Sequence, residues 1–424
     1  MTVADTPVRR EGGIGFALLI VLVALNLRAF YTSSSPLLES IRSATGLGFQ
    51  WAAMLTVLPM MTMGPMSLAG VAIGRRFGER AAILLGLATI AASCASRFFV
   101  TGDALPLLLS AALAGAGVGL VQALMPAVIK RNCPARMGIA MGLYSAALMG
   151  GGGLGAMGSP WVARLAGAWQ AGLAVWALPA LLALWAWSRS AYAAPVSARV
   201  PGARTDAGWL RCFANRRAWL LAVYFGLVNG GYTSLVAWLP HFYAQQGWSA
   251  AQGGAMLALM TAAQLVSALL LPALARGRRD LRPWLALTLL AQLAGFAGLL
   301  LNAPAAAAIV VVLGFGLGGS FALCMVLSLD HLPDPAQAGT LAAFMQAVGF
   351  MIAALAPFVT GAVREHTGSF GFAWAYLGAV VVLLLPLSWR LDPRGYARAT
   401  AGLFGSPTSA RAVPLGRAAH AAAE

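Results

Sequence analysis

The sequence GVAIGRRFGER, residues 70–80, joins two apolar runs at residues 51–73 and 81–100. Each run is long enough to cross the hydrocarbon core of a bilayer as a helix, which takes about 20 apolar residues. The glycines of the joining stretch permit a tight turn, and its arginines can hydrogen-bond helix C-terminal carbonyls or face anionic lipid. The stretch therefore predicts a short basic hinge between two membrane helices.

The composition of the whole chain extends this prediction to a polytopic membrane protein. Of the 424 residues, 60% are hydrophobic and only 9% are charged, whereas a soluble domain carries about 25% charged residues. The net charge of +16 would suggest nucleic-acid binding in a soluble protein, but here the basic residues lie in short loops, where they set membrane topology. We therefore expect contact with a lipid bilayer and no nucleic-acid partner.

Twelve apolar segments are long enough to span a membrane. They occupy residues 14–35, 51–73, 81–100, 105–127, 137–160, 167–188, 217–240, 250–273, 284–301, 306–328, 338–362 and 372–389. With a cytoplasmic N-terminus, 23 of the 28 lysine and arginine residues fall on the inner side. Because one missed or added helix would invert every later loop, this asymmetry supports the count of twelve. We predict an integral plasma (inner) membrane protein with both termini cytoplasmic.

A long polar stretch between the sixth and seventh segments divides the chain into two halves. We assign residues 1–13 to a cytoplasmic N-terminus, 14–189 to an N-terminal six-helix bundle, 190–216 to a cytoplasmic linker, 217–389 to a C-terminal six-helix bundle and 390–424 to a disordered cytoplasmic tail. Halves of nearly equal length suggest a duplication, with substrate bound between them near the midplane. The predicted fold class is an all-α membrane protein of two pseudo-symmetric six-helix bundles.

The basic hinge resembles the signature loop between helices two and three of the major facilitator superfamily. That pattern is a glycine, three residues, an aspartate, two basic or polar residues and then a glycine. Gly74 stands in place of the aspartate, which removes the charge that a relay through this position would use. The resemblance implies that the loop takes part in conformational change, through Gly70, Arg75, Arg76, Gly78 and Arg80.

Four further segments resemble the cyanate and 2-nitroimidazole transporter branch of that superfamily. These are Leu25-Asn26-Leu27-Arg28, Leu124-Met125-Pro126 ahead of Lys130-Arg131, Ala237-Trp238-Leu239-Pro240 and Gln346-Ala347-Val348-Gly349. The likeness covers essentially the whole membrane region, and the chain departs from the branch at Ala29, Gln122 and Phe350, where proline, asparagine and tyrosine are usual. It implies a transporter for cyanate-like or nitroaromatic solutes.

Arg28 is a charged residue inside the first apolar segment. Four basic residues fall on the outer side and 23 on the inner, which leaves Arg28 as the only one predicted at membrane depth, with no acid at that depth. A guanidinium cannot deprotonate, and burying it there costs about 3 kcal/mol or more. It is either a structural arginine bonded to carbonyls of a broken neighbouring helix or a group that binds an anionic substrate. The missing carboxylate favours the second interpretation.

Other polar side chains at membrane depth are candidates for the same cavity. Tyr31 follows Arg28 on the same helix face, and Asn229 and Tyr232 flank paired glycines that permit a kink. Each polar group must meet a helix, water or ligand, because an unpaired buried amide costs about 1–3 kcal/mol, so helix packing is the alternative for every one. The predicted substrate-binding residues are Arg28, Asn26, Tyr31, Gln122, Asn229, Tyr232 and Gln346.

The chain offers no pattern for catalysis, metal binding or a cofactor. Its four cysteines show neither paired spacing nor accompanying histidines, which speaks against disulfides and a zinc site. An enzyme within the membrane would need convergent His, Asp or Glu side chains at depth, and the sequence places none there. A coupled proton, if there is one, would have to travel with the substrate or on a group near the mouth of the cavity.

The function predicted from the sequence is secondary transport of a small anionic or polar solute by alternating access, with Arg28 in the central cavity. The alternative is a multidrug or metabolite exporter of the same fold in which Arg28 is structural. An exporter of cations would normally have a buried acid in its cavity, which this chain lacks. We expect a monomer whose partner is a small-molecule substrate, and we leave a co-transported proton open.

Overall fold

The computed structural model describes residues 13–47, 49–192, 208–248, 250–401 and Leu403. In this part of the chain, twelve helices are long and apolar enough to cross a membrane. In chain order they are α1 Ile14–Thr32, α2 Phe49–Phe77, α3 Glu79–Ser96, α4 Ala104–Asn132, α5 Met137–Ala166, α6 Trp169–Arg189, α7 Arg216–Gln245, α8 Ala250–Leu274, α9 Arg282–Leu300, α10 Ala306–Asp330, α11 Pro335–Thr367 and α12 Phe370–Trp389. Each predicted segment corresponds to one helix, so the prediction of twelve spans is confirmed.

Several helices extend beyond the predicted apolar segments. The last turn of α2 includes Arg75 and Arg76, and that of α4 includes Lys130 and Arg131. Long basic side chains can continue a helix past the hydrocarbon core because their apolar stems lie along the helix while their charged ends reach water. Helix α6 is interrupted at residues 175–176. Short helices at Leu38–Thr45, Gly208–Ala214 and Tyr396–Ala399 flank the spans.

The predicted basic hinge is a single residue, Gly78. Helix α2 ends at Phe77 and α3 begins at Glu79, with Gly78 between them at φ +89°. Glycine adopts this region without the steric penalty that a Cβ would bring. The turn is therefore compatible with glycine and strained for any other residue.

The helices of the two halves pack in the same order. In the first half α1 packs on α5, α2 on α4, and α3 on both α4 and α6. In the second half α7 packs on α11, α8 on α10, and α9 on both α10 and α12. The second set equals the first set shifted by six helices, which is the arrangement expected of two pseudo-symmetric six-helix bundles.

Glycines bring equivalent helices of each half into backbone contact. Gly119 of α4 lies against the Met63 backbone of α2, and Gly318 of α10 lies against the Gln264 backbone of α8. Inside a membrane the solvent is as apolar as the side chains, so close packing of small residues carries much of the helix association. These contacts hold α4 and α10 tightly inside their bundles, where both helices face the other half.

The two halves touch at the end of the bundle that carries Arg75, Lys130 and Arg279, which we call the basic face. Lys130 Nζ, at the end of α4, donates to the carbonyl oxygens of Leu329 and Leu332 at the end of α10. Arg75 Nη2 donates to Thr340 Oγ1 of α11 at 3.3 Å. A cation at a helix C-terminus satisfies free carbonyls and complements the helix dipole, so these bonds link the two halves at the basic face.

The start of the C-terminal tail is folded, in contrast to the predicted disorder. Tyr396 is buried, and its ring stacks on His331 with centroids 3.8 Å apart. A short turn at Pro393–Gly395 and the helix Tyr396–Ala399 follow α12 directly. Aromatic stacking against the end of α10 therefore orders a segment whose composition alone is unremarkable. The predictions for residues 1–12, 193–207 and 404–424 lie outside the described residues.

Candidate substrate site

Glycines of α5 set the position of α1, which carries Arg28. A Cβ at Gly151 would overlap the Leu25 carbonyl oxygen and lie 2.7 Å from its carbon, and one at Gly155 would overlap the Ala29 carbonyl. Thr32 Oγ1 of α1 also donates to the Gly152 carbonyl oxygen at 2.6 Å. Because no side chain separates the two backbones, α1 lies in a groove of α5, and its Arg28 points towards α5, α7 and α10.

The Arg28 guanidinium lies where four helices of both halves meet. Its Nη1 donates to Met149 Sδ of α5 at 3.3 Å. Its Cζ is 4.5 Å from the Tyr232 ring centroid on α7 and 5.3 Å from that of Phe321 on α10. The residue is 6% exposed, so the charge is enclosed between α1 and α5 on one side and α7 and α10 on the other.

The partners of Arg28 leave hydrogen-bonding capacity unused. Among the described residues, Met149 is the one acceptor that the guanidinium reaches, and neither a carbonyl nor a carboxylate oxygen accepts from it. A guanidinium has five N–H donors, and a thioether sulfur is a weak acceptor. Two aromatic faces compensate in part, since a desolvated cation–π contact contributes about 2 kcal/mol. The remaining donors suit an anion.

Two tyrosines lie within electrostatic reach of the guanidinium, Tyr31 on α1 and Tyr144 on α5. The Tyr31 hydroxyl donates to Met60 Sδ of α2 at 3.6 Å, whereas the buried Tyr144 hydroxyl has no partner in the described structure. Beside Tyr31 and Met60 is a void of about 10 Å³, which is roughly the room that one water molecule needs. The two hydroxyls therefore add polar groups to the surroundings of Arg28.

Buried amides extend the polar region across the halves. Gln346 Nε2 of α11 donates to the Gln122 backbone oxygen of α4 at 3.2 Å. The side-chain amides of Gln122 and Gln264, each on a residue only 1% exposed, find no partner among the described residues. Leaving such groups unpaired costs about 1–3 kcal/mol each. These free amides are available to hydrogen-bond water or a solute.

The two predicted asparagines make local contacts. Asn26 Nδ2 donates to Leu22 O at 2.7 Å and to Pro179 O of α6 at 3.2 Å, so it links α1 to α6 within the first half. Asn229 Nδ2 donates to Phe225 O, one turn back in α7, at 2.8 Å. Helix α7 runs unbroken past the paired glycines. The structure brings Arg28 and Tyr232 into contact, whereas Asn26 faces a different helix pair.

Arg97, which the sequence assigns to the outer side, is a second buried arginine. Arg97 is 2% exposed; its Nη1 donates to Phe30 O at 3.2 Å and its Nε to Ser110 Oγ at 3.0 Å. Phe30 is one of the last residues of α1, whose final carbonyls lack partners within the helix. Arg97 is therefore a carbonyl-bonded arginine, the structural type that the sequence left open for Arg28. Its position next to the end of an apolar segment had suggested an outer loop.

Replacing Arg97 with glutamine is expected to destabilise the protein by about 1–3 kcal/mol, because buried acceptors of α1 and α4 lose a charged donor. Substrate affinity should stay within about twofold of the parent's. Thermal unfolding and uptake kinetics measure the two effects, and Arg164→Gln, an exposed arginine of α5, serves as the control. An unchanged melting temperature would contradict this structural assignment.

Residues 16–357 match the family model described as Major Facilitator Superfamily. The chain belongs to the Major Facilitator Superfamily. It is 46% identical to the cyanate transport protein CynX of Escherichia coli (strain K12), over 89% of this chain and 97% of that protein. It is 29% identical to the 2-nitroimidazole transporter of the same organism, over 86% of this chain and 92% of that protein.

Solved structures of the superfamily share the fold. The proton:xylose symporter XylE superposes with a TM-score of 0.73 at 16% identity, covering 89% of this chain and 95% of its own. The Escherichia coli fucose:proton symporter FucP gives a TM-score of 0.69 at 15% identity, covering 90% of this chain and all of its own. The major facilitator fold predicted from the sequence is confirmed, and the relatives with assigned roles are transporters of small solutes.

The signature loop of the superfamily takes a specific form here. Gly74, which replaces the family's aspartate, lies against Leu124 of α4, where a Cβ would come within 2.7 Å of a methyl carbon. The acidic residue of the loop is instead Glu79, which forms a bidentate ion pair with Arg131 at the end of α4. The loop therefore binds α4 through a charge displaced by five positions from the family pattern.

Sequence reasoning missed the two non-tyrosine partners of Arg28. Met149 and Phe321 lie in helices that are apolar on every side. No sequence signal marks which apolar side chain faces a charge and which faces lipid. The polar residues of the site could be identified from the sequence because they lie in apolar segments. Their apolar neighbours could be identified only from the folded structure.

Proposed function

We propose that this superfamily member moves a small anionic solute across the membrane by alternating access, with Arg28 as the anion-binding group. The observation that carries the proposal is the unsatisfied guanidinium between helices of both halves. A solute that binds both halves can favour the enclosed state over the open ones, because a ligand shifts a conformational equilibrium by its differential affinity. Tyr31, Tyr232, Gln122, Gln346 and Asn229 supply further hydrogen bonds.

A cyanate-like anion fits this site better than a nitroaromatic compound. The Tyr232 and Phe321 ring centroids lie 4.5 Å and 5.3 Å from the guanidinium carbon, so a linear anion of three atoms needs less rearrangement than a substituted ring. The higher identity to the cyanate transport protein than to the 2-nitroimidazole transporter supports the same choice. The planar guanidinium would donate to one end of the anion while the Tyr232 and Phe321 rings exclude water.

A thermal-shift comparison of small anions with cations tests the substrate class. We expect cyanate to raise the melting temperature of detergent-purified protein, because a ligand that binds only the folded state stabilises it by mass action. Tetramethylammonium at the same concentration should have no effect, since no Asp or Glu is buried among the residues whose burial the structure describes. Stabilisation by the cation alone would favour the exporter alternative.

We also propose the orientation and state of the protein in the membrane. The basic face lies on the cytoplasmic side of the inner membrane, because loop arginines and lysines are retained there. The Lys130 and Arg75 bonds then close the cytoplasmic side, so the opposite side opens first to solute. A monomer is sufficient, since Arg28 and its partners come from one chain. A coupled proton would travel with the substrate or on a group near the mouth.

Loss of the Lys130 contacts is expected to open the basic face. In Lys130→Gln the carbonyls at the end of α10 lose a charged donor, and such a bond contributes about 1.5–3 kcal/mol, enough to shift the equilibrium between closed and open states by roughly tenfold or more. Spin labels at Ala135 and Ala336, exposed residues of opposite halves, report the distance between the two halves at the basic face. The population at longer distances should increase.

Lys130→Arg is the matched control, because it keeps the charge and its donors at the end of α4. We expect its distance distribution to resemble that of the parent protein. If Lys130→Gln left the distribution unchanged, the contacts with α10 would not hold the face closed, and another interface would have to do so.

A further inference from the structure

A cavity of about 620 Å³ opens at the basic face, apart from the central site. Residues 134–138, at the start of α5, form one wall and belong to the first half. The turn between α8 and α9, the end of α10 and Tyr396 form the other walls and belong to the second half. The volume is within the range of about 300–1,000 Å³ that is usual for small-ligand sites. We call it the arginine cavity.

The arginine cavity carries an excess of positive charge. Arg136 lines it from the first half, and three arginines line it from the second half, Arg276, Arg278 and Arg279. All four are exposed, and none of them has an acidic partner among the described residues. Asp330 is the one acid in the lining, and Lys130 lies within electrostatic reach of it.

Nearby acids do not neutralise these arginines because they are already paired. Asp280 and Asp392 both form ion pairs with Arg282, at 2.7 Å and 3.3 Å. Hydrogen bonding to Arg282 holds the pKa of Asp280 below its usual value, so this carboxylate stays ionised and bound. Asp334 accepts from the Gln337 amide at the start of α11. The four arginine charges of the cavity are therefore only partly compensated, by Asp330.

The part of the cavity lining formed by His331 and Tyr396 carries no charge. Burial, together with the neighbouring Arg217 charge, lowers the pKa of His331 to about 4, so the ring is neutral near pH 7. His331 Nε2 accepts from Arg217 Nε at 3.0 Å, and the ring stacks on Tyr396. These two side chains add no negative charge to the cavity, and their contacts hold them in place next to the four arginines.

We propose that the arginine cavity binds a phosphate group and thereby clamps the two halves together at the basic face. Guanidinium groups bind phosphate through paired N–H···O bonds, and several of them around one cavity suit a doubly charged group. The phosphate belongs either to an anionic phospholipid headgroup or to a soluble phosphate compound. Since Arg136 and the other three arginines lie in opposite halves, a bound phosphate stabilises the closed face and slows its opening. Binding itself is independent of the proposed transport function, whereas the effect on uptake rests on it.

Binding is measured on the full-length protein in detergent, through the shift in melting temperature. One series adds sodium pyrophosphate, a second adds phosphatidylglycerol, and phosphatidylcholine is the zwitterionic control lipid. The variant R278Q/R279Q removes two cavity arginines, and R189Q/R216Q removes two exposed arginines of the basic face that do not line the cavity. Both variants change the net charge equally.

We expect pyrophosphate or phosphatidylglycerol to raise the melting temperature of the parent protein, with at least tenfold weaker apparent affinity in R278Q/R279Q and less than twofold weaker in R189Q/R216Q. A response to pyrophosphate alone identifies a soluble ligand, and a response to the lipid alone identifies a headgroup. No stabilisation by either, or an equal loss in both variants, overturns the site. Stabilisation without slower uptake in proteoliposomes of the parent protein overturns the clamp while leaving the central transport site untouched.

Discussion

Replacement of Arg28 by glutamine is expected to reduce cyanate uptake by about 10- to 100-fold. Hydrogen bonds from a charged donor contribute about 1.5–3 kcal/mol, and each 1.4 kcal/mol is about tenfold in affinity. The guanidinium is the one cation that contacts Tyr232 and Phe321 across the two halves in the described structure, so its loss removes both the charge and the link between them. Uptake of labelled cyanate into proteoliposomes measures the effect.

The stability of the same variant separates a binding role from a structural one. Arg28 has no oxygen partner among the described residues, so its removal relieves an unpaired buried charge, and the melting temperature should equal or exceed that of the parent. Arg97→Gln should show the reverse pattern, with lower stability and unchanged affinity, because Arg97 is bonded to Phe30 and Ser110. Two buried arginines thus act as controls for each other.

Arg28→Lys is expected to retain part of the uptake. Lysine keeps the positive charge but loses the planar fork that stacks on aromatic rings and donates in pairs. We expect a higher KM with a smaller loss of turnover than in the glutamine variant. Retained uptake in Arg28→Gln, at the KM of the parent protein, would contradict the assignment of this residue as the anion-binding group.

Gly151→Ala is expected to cause the second large loss, in both stability and transport. The new methyl group would overlap the Leu25 carbonyl, so α1 would have to move away from α5. Overpacking of a filled interior typically costs about 1–3 kcal/mol. Because α1 carries Arg28, the same displacement would separate the guanidinium from Met149. Thermal unfolding and cyanate uptake of the purified variant test both consequences.

Gly153→Ala is the matched control in the same run of glycines. A Cβ at Gly153 would meet Thr261 Cγ2 at 3.5 Å, which is an ordinary contact. Alanine also favours the helix by about 1 kcal/mol relative to glycine, so the melting temperature should stay the same or rise. Equal losses in the two variants would mean that general loss of glycine, and not contact with α1, determines the outcome.

The number of spans was predictable because it depends on the length of apolar runs, which can be counted along the sequence. A run of about 20 apolar residues must cross the bilayer as a helix, since unpaired backbone groups are too costly in lipid. A turn between residues 70 and 80 was predictable for a similar reason, since glycine and charge interrupt two such runs, but its restriction to Gly78 was not. Residues 393–399 show the limit, because Tyr396 packs on His331, which lies far away in the chain.

The candidate site was predictable only in part. Arg28 and Tyr232 were recognisable because a polar group at membrane depth needs a partner, and they do contact each other. Asn26 met the same criterion, yet its amide bonds to Pro179 of α6. Depth along a helix follows from position in the sequence, but the direction in which a side chain points depends on how the helix is rotated.

The sequence by itself determined that this protein is a twelve-helix member of a transporter superfamily with a buried arginine, because hydrophobic length and local motifs can be counted along the chain. The tertiary structure alone decided that Arg97 bonds to the end of α1, which side chains enclose Arg28, and that four loop arginines share one cavity. The physical reason is that lipid and protein interior are similarly apolar, so the sequence of a membrane helix carries little information about which face turns inward. Packing of glycines and pairing of buried polar groups settle that rotation.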